Sequence, residues 1–105
     1  MINLTASHQA IVIAILRKYV PKQKAVVFGS RANGTTKAFA DLDLCIMQDR
    51  PLSLEILSDL HEAFSESDLP FRVDIVDWAT TSAEFKEVIM KQAVDLIEVQ
   101  GNNKQ

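Results

Sequence analysis

Apolar residues recur along this chain with two spacings, and each spacing predicts one kind of secondary structure. Between residues 5 and 19, and again between residues 53 and 66, they recur every three or four positions, which is typical of a helix with one buried face. Short runs rich in β-branched residues lie between such segments and predict strands. The predicted order is helix 5–19, strand 24–30, loop 31–40, strand 41–47, helix 53–66, strand 71–77, helix 82–94 and a short strand 95–99.

This order predicts a fold of the α/β (α+β) class, a small mixed β-sheet flanked by helices. We expect one domain over residues 1–100 and a disordered tail over residues 101–105. The buried faces of the three helices are expected to contain Ile11, Val12, Ile15, Leu16 and Tyr19; Leu54, Leu57, Leu60, His61 and Phe64; and Phe85, Val88, Ile89 and Ala93. The loop 31–40 is long for a hairpin, and long loops in small domains are often functional.

The composition is that of an ordinary soluble domain. Hydrophobic residues make up 48% of the 105 residues, and a net charge of −3 with scattered basic residues argues against direct binding of nucleic acid. The single cysteine, Cys45, lies in an apolar run and is expected to be a buried thiol. Arg17 and Lys18 interrupt the first apolar segment, which carries no targeting signature, so we expect a cytoplasmic protein without a membrane anchor.

Three carboxylates occupy strand positions, where acidic residues are unfavourable. Asp41 and Asp43 begin one predicted strand, and Asp74 alternates with apolar residues in the next. Residues two apart on a strand project to the same face, so neighbouring strands would place all three carboxylates on one open face. Carboxylates this close raise one another's pKa values unless a cation lies among them. Hard oxygen ligands suit Mg²⁺, with Mn²⁺ as an alternative, rather than zinc.

Gly29 and Ser30 end the first predicted strand and form a candidate phosphate site. Glycine lets the backbone approach a phosphate closely, and serine offers a hydroxyl and an N–H as donors. Two metal ions beside a triphosphate held there could activate an attacking oxygen and stabilise the leaving pyrophosphate. Each feature alone has an ordinary explanation, because acidic pairs flank many strands and Gly-Ser dipeptides occur in turns. Ser30 followed ten residues later by Asp41-x-Asp43 is a more specific combination.

The segment GSRANGTTKAFADLDL resembles the Gly-Ser-x10-Asp-x-Asp signature of the DNA polymerase β-like nucleotidyltransferase superfamily. The short length is similar to the minimal nucleotidyltransferase (MNT) branch of that superfamily. The resemblance implies ATP as substrate, two Mg²⁺ ions, nucleotide binding by Gly29, Ser30 and Arg31, and metal ligation and catalysis by Asp41, Asp43 and Asp74. By the same resemblance, Asp74 would assist deprotonation of the acceptor hydroxyl. The sequence departs from the family at Ala40, where Ser or Thr usually precedes the first Asp; this removes a hydrogen bond but no metal ligand.

The MNT proteins that the chain resembles are antitoxins whose partner is an all-helical HEPN ribonuclease toxin. The resemblance therefore implies transfer of AMP from ATP to a tyrosine of such a toxin, which silences it. Two alternatives stay open: a non-catalytic module that masks its partner by contact, and a small-molecule nucleotidyltransferase that acts with a separate substrate-binding subunit. The presence of the complete carboxylate set argues against the first, and the small size argues against the second. The nucleotide base and the homo- or hetero-oligomeric state are not identified by any motif.

Four other polar or aromatic residues have simpler explanations. His8 and His61 lie on separate predicted helices without ligand spacing. Asp77 faces away from Asp74 and is expected to end its strand or cap the next turn. Trp78, which follows it, is expected to pack against the domain.

Overall fold

The computed structural model describes residues 4–33 and 40–96. The helices are α1 (Ala6–Tyr19), α2 (Ser30–Asn33), α3 (Leu54–Ser65) and α4 (Ala83–Gln92), and a 3₁₀ turn spans Trp78–Thr80. The strands are β1 (Lys24–Phe28), β2 (Leu42–Met47), β3 (Val73–Asp77) and β4 (Val94–Asp95). No helix in these two ranges is long and apolar enough to cross a membrane.

The four strands form one mixed sheet in the order β3-β2-β1-β4. Strand β1 is antiparallel to β2 and β4, whereas β2 and β3 are parallel. A parallel pair requires a crossover connection, and α3 provides it between β2 and β3. The predicted mixed sheet flanked by helices is therefore confirmed, and β2 lies between the strand that ends in Gly-Ser and the strand that carries the third carboxylate.

The helices pack on both faces of the sheet. On one face, α1 and α3 cover a large apolar cluster that includes Val12, Leu16, Leu42, Leu44 and Leu60, all fully buried. On the other face, α4 covers a smaller cluster of Val26, Phe28, Cys45 and Ile89. Burying each such side chain contributes roughly 1.5–3 kcal/mol. The smaller cluster covers only part of its face, which leaves the acidic end of β2 and β3 open.

Hydroxyl side chains cap the N-termini of the three long helices. Thr5 accepts a hydrogen bond from the His8 amide at the start of α1. Ser53 and Ser82 accept in the same way at the starts of α3 and α4. Each cap satisfies one of the amides that a helix N-terminus leaves without an intrahelical partner, and each contributes about 1 kcal/mol.

The predicted helix faces are partly confirmed. In α1, Val12 and Leu16 are fully buried as predicted, Ile15 and Tyr19 pack against the same apolar cluster, and Ile11 is partly buried. Leu54 is 85% exposed because it is the first residue of α3 and precedes the turn that meets the sheet. In α4 only Ile89 is fully buried, whereas Phe85 is 39% and Val88 43% exposed; the Phe85 ring still meets the buried Phe28 ring edge to face.

Other boundaries also differ from the prediction. The predicted loop 31–40 begins with helix α2, and its residues 34–39 lie outside the described residues. Strand β3 begins at Val73, two residues later than predicted. Strand β4 is limited to Val94–Asp95, and the remainder of the predicted strand 95–99, like the tail 101–105, lies mostly or wholly outside the described residues.

Candidate active site

The turn after β1 depends on a glycine with a left-handed backbone. Gly29 has φ 78°, a conformation that residues with a Cβ atom rarely adopt. A Cβ atom built there would lie 2.4 Å from Oδ2 of Asp43. Gly29 therefore lets the chain turn and also leaves room for the Asp43 carboxylate beside the turn. Ser30 follows as the exposed first residue of α2.

Gln92, which was not among the predicted site residues, binds this turn from helix α4. The Gly29 amide donates a hydrogen bond of 2.9 Å to Oε1 of Gln92, which is the last residue of α4. Helix α4 is thereby attached to the candidate phosphate turn across 63 residues of sequence. A glutamine at the end of a helix carries no local signal of such a contact, so sequence reasoning could not have found it.

The structure brings the three predicted carboxylates to one end of the sheet. Strand register pairs Phe28 with Asp43, and Asp43 with Asp74, while Asp41 precedes β2 by one residue. The side chains of Asp41 and Asp74 are each a little under half exposed, and Asp43 is partly buried between them and the Gly29 turn. The predicted pairing of the second and third strands is therefore confirmed.

The electrostatics of this group match the expectation for clustered carboxylates. Burial raises the pKa of Asp43 above its ordinary value, and the negative charges of Asp74 and Asp41 raise it further. A positive charge placed among these groups would favour the ionised carboxylates. Within residues 4–33 and 40–96, no three His, Cys, Asp or Glu side chains converge closely enough in this conformation to form a ready metal-binding group. The oxygen donors nevertheless have the chemistry that Mg²⁺ requires.

A cation that the sequence analysis overlooked lies between two of the carboxylates. Nη2 of Arg72 is 3.0 Å from Oδ2 of Asp41, and its Nε is 3.4 Å from Oδ1 of Asp74. The Arg72 side chain is 73% exposed, so solvent weakens both ion pairs. Arg72 precedes Asp74 by two residues in the predicted strand. Since residues two apart on a strand project to the same face, this spacing could have indicated a cation beside the carboxylates.

Arg31, predicted to bind the nucleotide, is buried and contacts residues distant in sequence. It is only 4% exposed, its Nε donates a 3.0 Å hydrogen bond to the carbonyl of Ala40, and its guanidinium lies 4.0 Å from the centre of the Phe71 ring. Burial lowers the pKa of Arg31. A side chain held in this way fixes the chain just before Asp41 against the chain before β3. These contacts give Arg31 a positioning role, and its predicted contact with the nucleotide phosphates stays a prediction.

The remaining candidates have structural roles. Cys45 is fully buried as predicted, and burial, followed by the charge of Asp77, raises its pKa to about 11. Asp77 caps the 3₁₀ turn through Ala79, also as predicted, and its Oδ2 accepts a 2.8 Å hydrogen bond from the Leu52 amide. Trp78 packs against the smaller apolar cluster.

The class of protein follows from this arrangement and from comparison with known families. The family model described as "Polymerase beta, Nucleotidyltransferase" matches residues 11–102. The chain therefore belongs to this nucleotidyltransferase family, and the resemblance found in the Gly-Ser and Asp-x-Asp segment extends over most of the domain.

Comparison with individual proteins gives similarities more specific than the family. The chain is 48% identical over 90 residues to the probable protein adenylyltransferase MntA of Haemophilus influenzae, which covers 86% of this chain and 79% of that protein. It is also similar to a chain in a crystal structure of a toxin–antitoxin with AMP-PNP, with a TM-score of 0.71 and 26% identity over 84% of this chain and 71% of that chain. A chain in the complex of a tri-AMPylated Shewanella oneidensis HEPN toxin with an MNT antitoxin has the same fold. The TM-score is 0.65, and the identity is 23% over 86% of this chain and 69% of that chain.

Proposed function

We propose that this protein transfers AMP from ATP to a tyrosine hydroxyl of a HEPN-type toxin and thereby acts as its antitoxin. The observation that carries the proposal is the row of Asp41, Asp43 and Asp74 beside the Gly29 turn. The 48% identity to a protein named as an adenylyltransferase and the likeness to a toxin–antitoxin with an ATP analogue support the same activity.

Each site residue has a distinct role in the proposed reaction. The turn at Gly29 and Ser30 binds the triphosphate, and Asp41 and Asp43 hold the divalent ions that accompany it. Magnesium, when bound, neutralises the carboxylates and stabilises the charge that develops on the phosphate oxygens. Asp74 accepts the proton of the acceptor hydroxyl, since it lies at the far side of the row from the turn. The acceptor oxygen forms a bond to the α-phosphorus, the bond from that phosphorus to the bridging oxygen of pyrophosphate breaks, and pyrophosphate leaves.

The test uses ATP labelled at the α-phosphate, Mg²⁺ and the co-purified toxin-like product of the neighbouring gene. Wild type should transfer label to the partner, and Asp41→Asn/Asp43→Asn should transfer none. Asp49→Asn is the matched control, because Asp49 is exposed just beyond the other end of β2 and makes the same change of carboxylate to amide. The control should label the partner at the wild-type rate.

A second candidate function is a binding module that masks its partner without chemistry. This function predicts that wild type and the Asp41→Asn/Asp43→Asn variant inhibit the partner equally and that neither labels it. Label on a small hydroxylated compound, with none on the partner, would instead identify a small-molecule nucleotidyltransferase.

A further inference from the structure

The left-handed turn at Gly29 needs support from outside its own residue. Glycine adopts positive φ values about as readily as negative ones, so the φ of 78° is permitted by the residue but not enforced by it. The Gly29 carbonyl accepts a 3.1 Å hydrogen bond from the Ala32 amide, which closes the turn from within. The Gly29 amide has to be held from elsewhere, and its direction affects how the next residue, Ser30, is presented.

Strand pairing explains why the Gly29 amide finds no acceptor on a neighbouring backbone. On the β4 side of β1, Val27 pairs with Val94. Continuing this register by two residues places Gln92 opposite Gly29, at a point where the chain is still helix α4. A helical backbone does not extend a strand ladder, so the ladder between β1 and β4 stops before it reaches the phosphate turn.

The side chain of Gln92 takes the place of the missing ladder acceptor. Its Oε1 lies 2.9 Å from the Gly29 amide nitrogen. An amide N–H can only donate, so the contact also orients the side-chain amide of Gln92, with its oxygen toward the turn. The Gly29 amide is thus committed to α4, and what it gives the phosphate site is the direction of the turn.

That direction matters because the turn is closely fitted to the central carboxylate. Phe28, which precedes the turn, pairs with Asp43 across β1 and β2, and Oδ2 of Asp43 occupies the space beside Gly29 that a Cβ atom would need. A triphosphate with its divalent ions has to contact the turn and this carboxylate at the same time. A rotation of the Gly29 peptide would change their separation, and small errors of position are costly in such sites.

We propose that Gln92 is a positioning residue of the nucleotide site, which holds the phosphate turn in the orientation that binds the triphosphate of ATP by accepting the Gly29 amide. The inference rests on the proposed function and adds a residue of α4 to its site. A neutral side chain suits this place. A carboxylate could accept the same hydrogen bond but would repel the negative charge of a triphosphate.

Two replacements separate the hydrogen bond from the charge. Gln92→Met removes the acceptor oxygen and keeps an unbranched side chain of similar length, whereas Gln92→Glu keeps an acceptor oxygen and adds a negative charge. Gln92 is exposed, so neither change disturbs the apolar core. Gln23→Met is the matched control, because Gln23 lies just before β1, at the end of that strand opposite to Gly29.

Three measurements are made on each variant. Calorimetry gives the affinity for ATP in the presence of Mg²⁺ and without the partner, at low and at high ionic strength. Label transfer from ATP to the co-purified partner gives separate KM values for ATP and for the partner. Urea denaturation gives the stability, which reports on a purely structural contact.

Gln92→Met should weaken ATP binding on the order of 3- to 10-fold, which corresponds to the loss of one hydrogen bond. The KM for ATP should rise by a similar factor, while the KM for the partner stays at the wild-type value. Gln92→Glu should also bind ATP less tightly than wild type at low salt, but this deficit should shrink at high salt, because salt screens the added charge. The deficit of Gln92→Met should persist at high salt, and Gln23→Met should behave as wild type throughout.

Several results overturn the inference and are distinguishable. Wild-type ATP affinity in Gln92→Met would refute it, and a lowered urea midpoint in the same variant would identify a purely structural contact. A raised KM for the partner with unchanged ATP affinity would assign Gln92 to the partner surface. An equal loss in both variants that salt does not alter would mean that the retained acceptor has no effect.

The proposed function fails separately. If wild type binds ATP but does not label its partner, the proposed function is overturned, and the role of Gln92 is still decided by calorimetry, which needs no partner. If wild type binds no ATP in the presence of Mg²⁺, both the proposed function and the role of Gln92 are overturned.

Discussion

Replacing Gly29 by alanine tests how closely the phosphate turn is fitted to the catalytic carboxylate. A residue with a Cβ atom in the left-handed conformation costs about 1–2 kcal/mol relative to glycine. The new methyl group would also lie 2.4 Å from Oδ2 of Asp43, so that carboxylate must rotate away. We expect a loss of about 1.5–2.5 kcal/mol of unfolding free energy from the two effects together, a fall in the melting temperature of about 4–8 °C for each kcal/mol, and a large loss of metal-dependent ATP binding.

Urea denaturation monitored by circular dichroism measures the stability, and a double-mutant cycle separates the two effects. In an Asp43→Ala background the methyl group meets no carboxylate, so Gly29→Ala should cost at least about 0.5 kcal/mol less than in wild type. Gly29→Asn is a useful companion, since asparagine tolerates the left-handed conformation better but carries the same Cβ atom. An equal cost of Gly29→Ala in both backgrounds would refute the proposed fit between turn and carboxylate.

Three further predictions concern residues around the site. Arg72→Ala should leave the urea midpoint nearly unchanged, because solvent screens its exposed ion pairs, and should tighten Mn²⁺ binding measured without nucleotide by about two- to fivefold, because the cation no longer competes for the carboxylate oxygens; unchanged or weaker binding would contradict this. Asp77→Ala should lower the free energy of unfolding in urea by about 1–3 kcal/mol without altering ATP binding, because it leaves the buried Leu52 amide without its acceptor; an unchanged urea midpoint would count against that hydrogen bond. The raised pKa of Cys45, about 11 against an ordinary 9.0, contributes stability below pH 9 that is lost as the pH rises to 11. Wild type should therefore lose roughly 2–3 kcal/mol more than Cys45→Ala over that interval, and parallel pH profiles would contradict the burial of the thiol.

Local sequence patterns were sufficient for much of the site. The spacing from Ser30 to Asp43 lies within one segment, and alternation within β2 directs Asp43 to the face opposite its neighbours Leu42 and Leu44 whatever the rest of the fold does. The caps at Ser53 and Ser82 were also predictable, because a hydroxyl and the amide that it accepts from are three residues apart. These features depend only on the geometry of residues that are close together in the sequence.

The tertiary structure decided which of these local features meet. The pairing of Asp43 with Asp74 depends on β2 and β3 being neighbours, and the contact of Gln92 with Gly29 depends on where α4 ends. The exposure of Phe85 follows from how much of the sheet α4 covers, which helical periodicity does not contain.

Arg31 shows most clearly the difference between what local sequence predicts and what tertiary packing decides. Its place beside the Gly-Ser turn predicted a phosphate contact, and its contacts with Phe71 and the Ala40 carbonyl arise only because β2 and β3 lie side by side. Periodicity and spacing report the direction of a side chain relative to its own backbone. The partners that it meets are determined by the packing of segments distant in sequence.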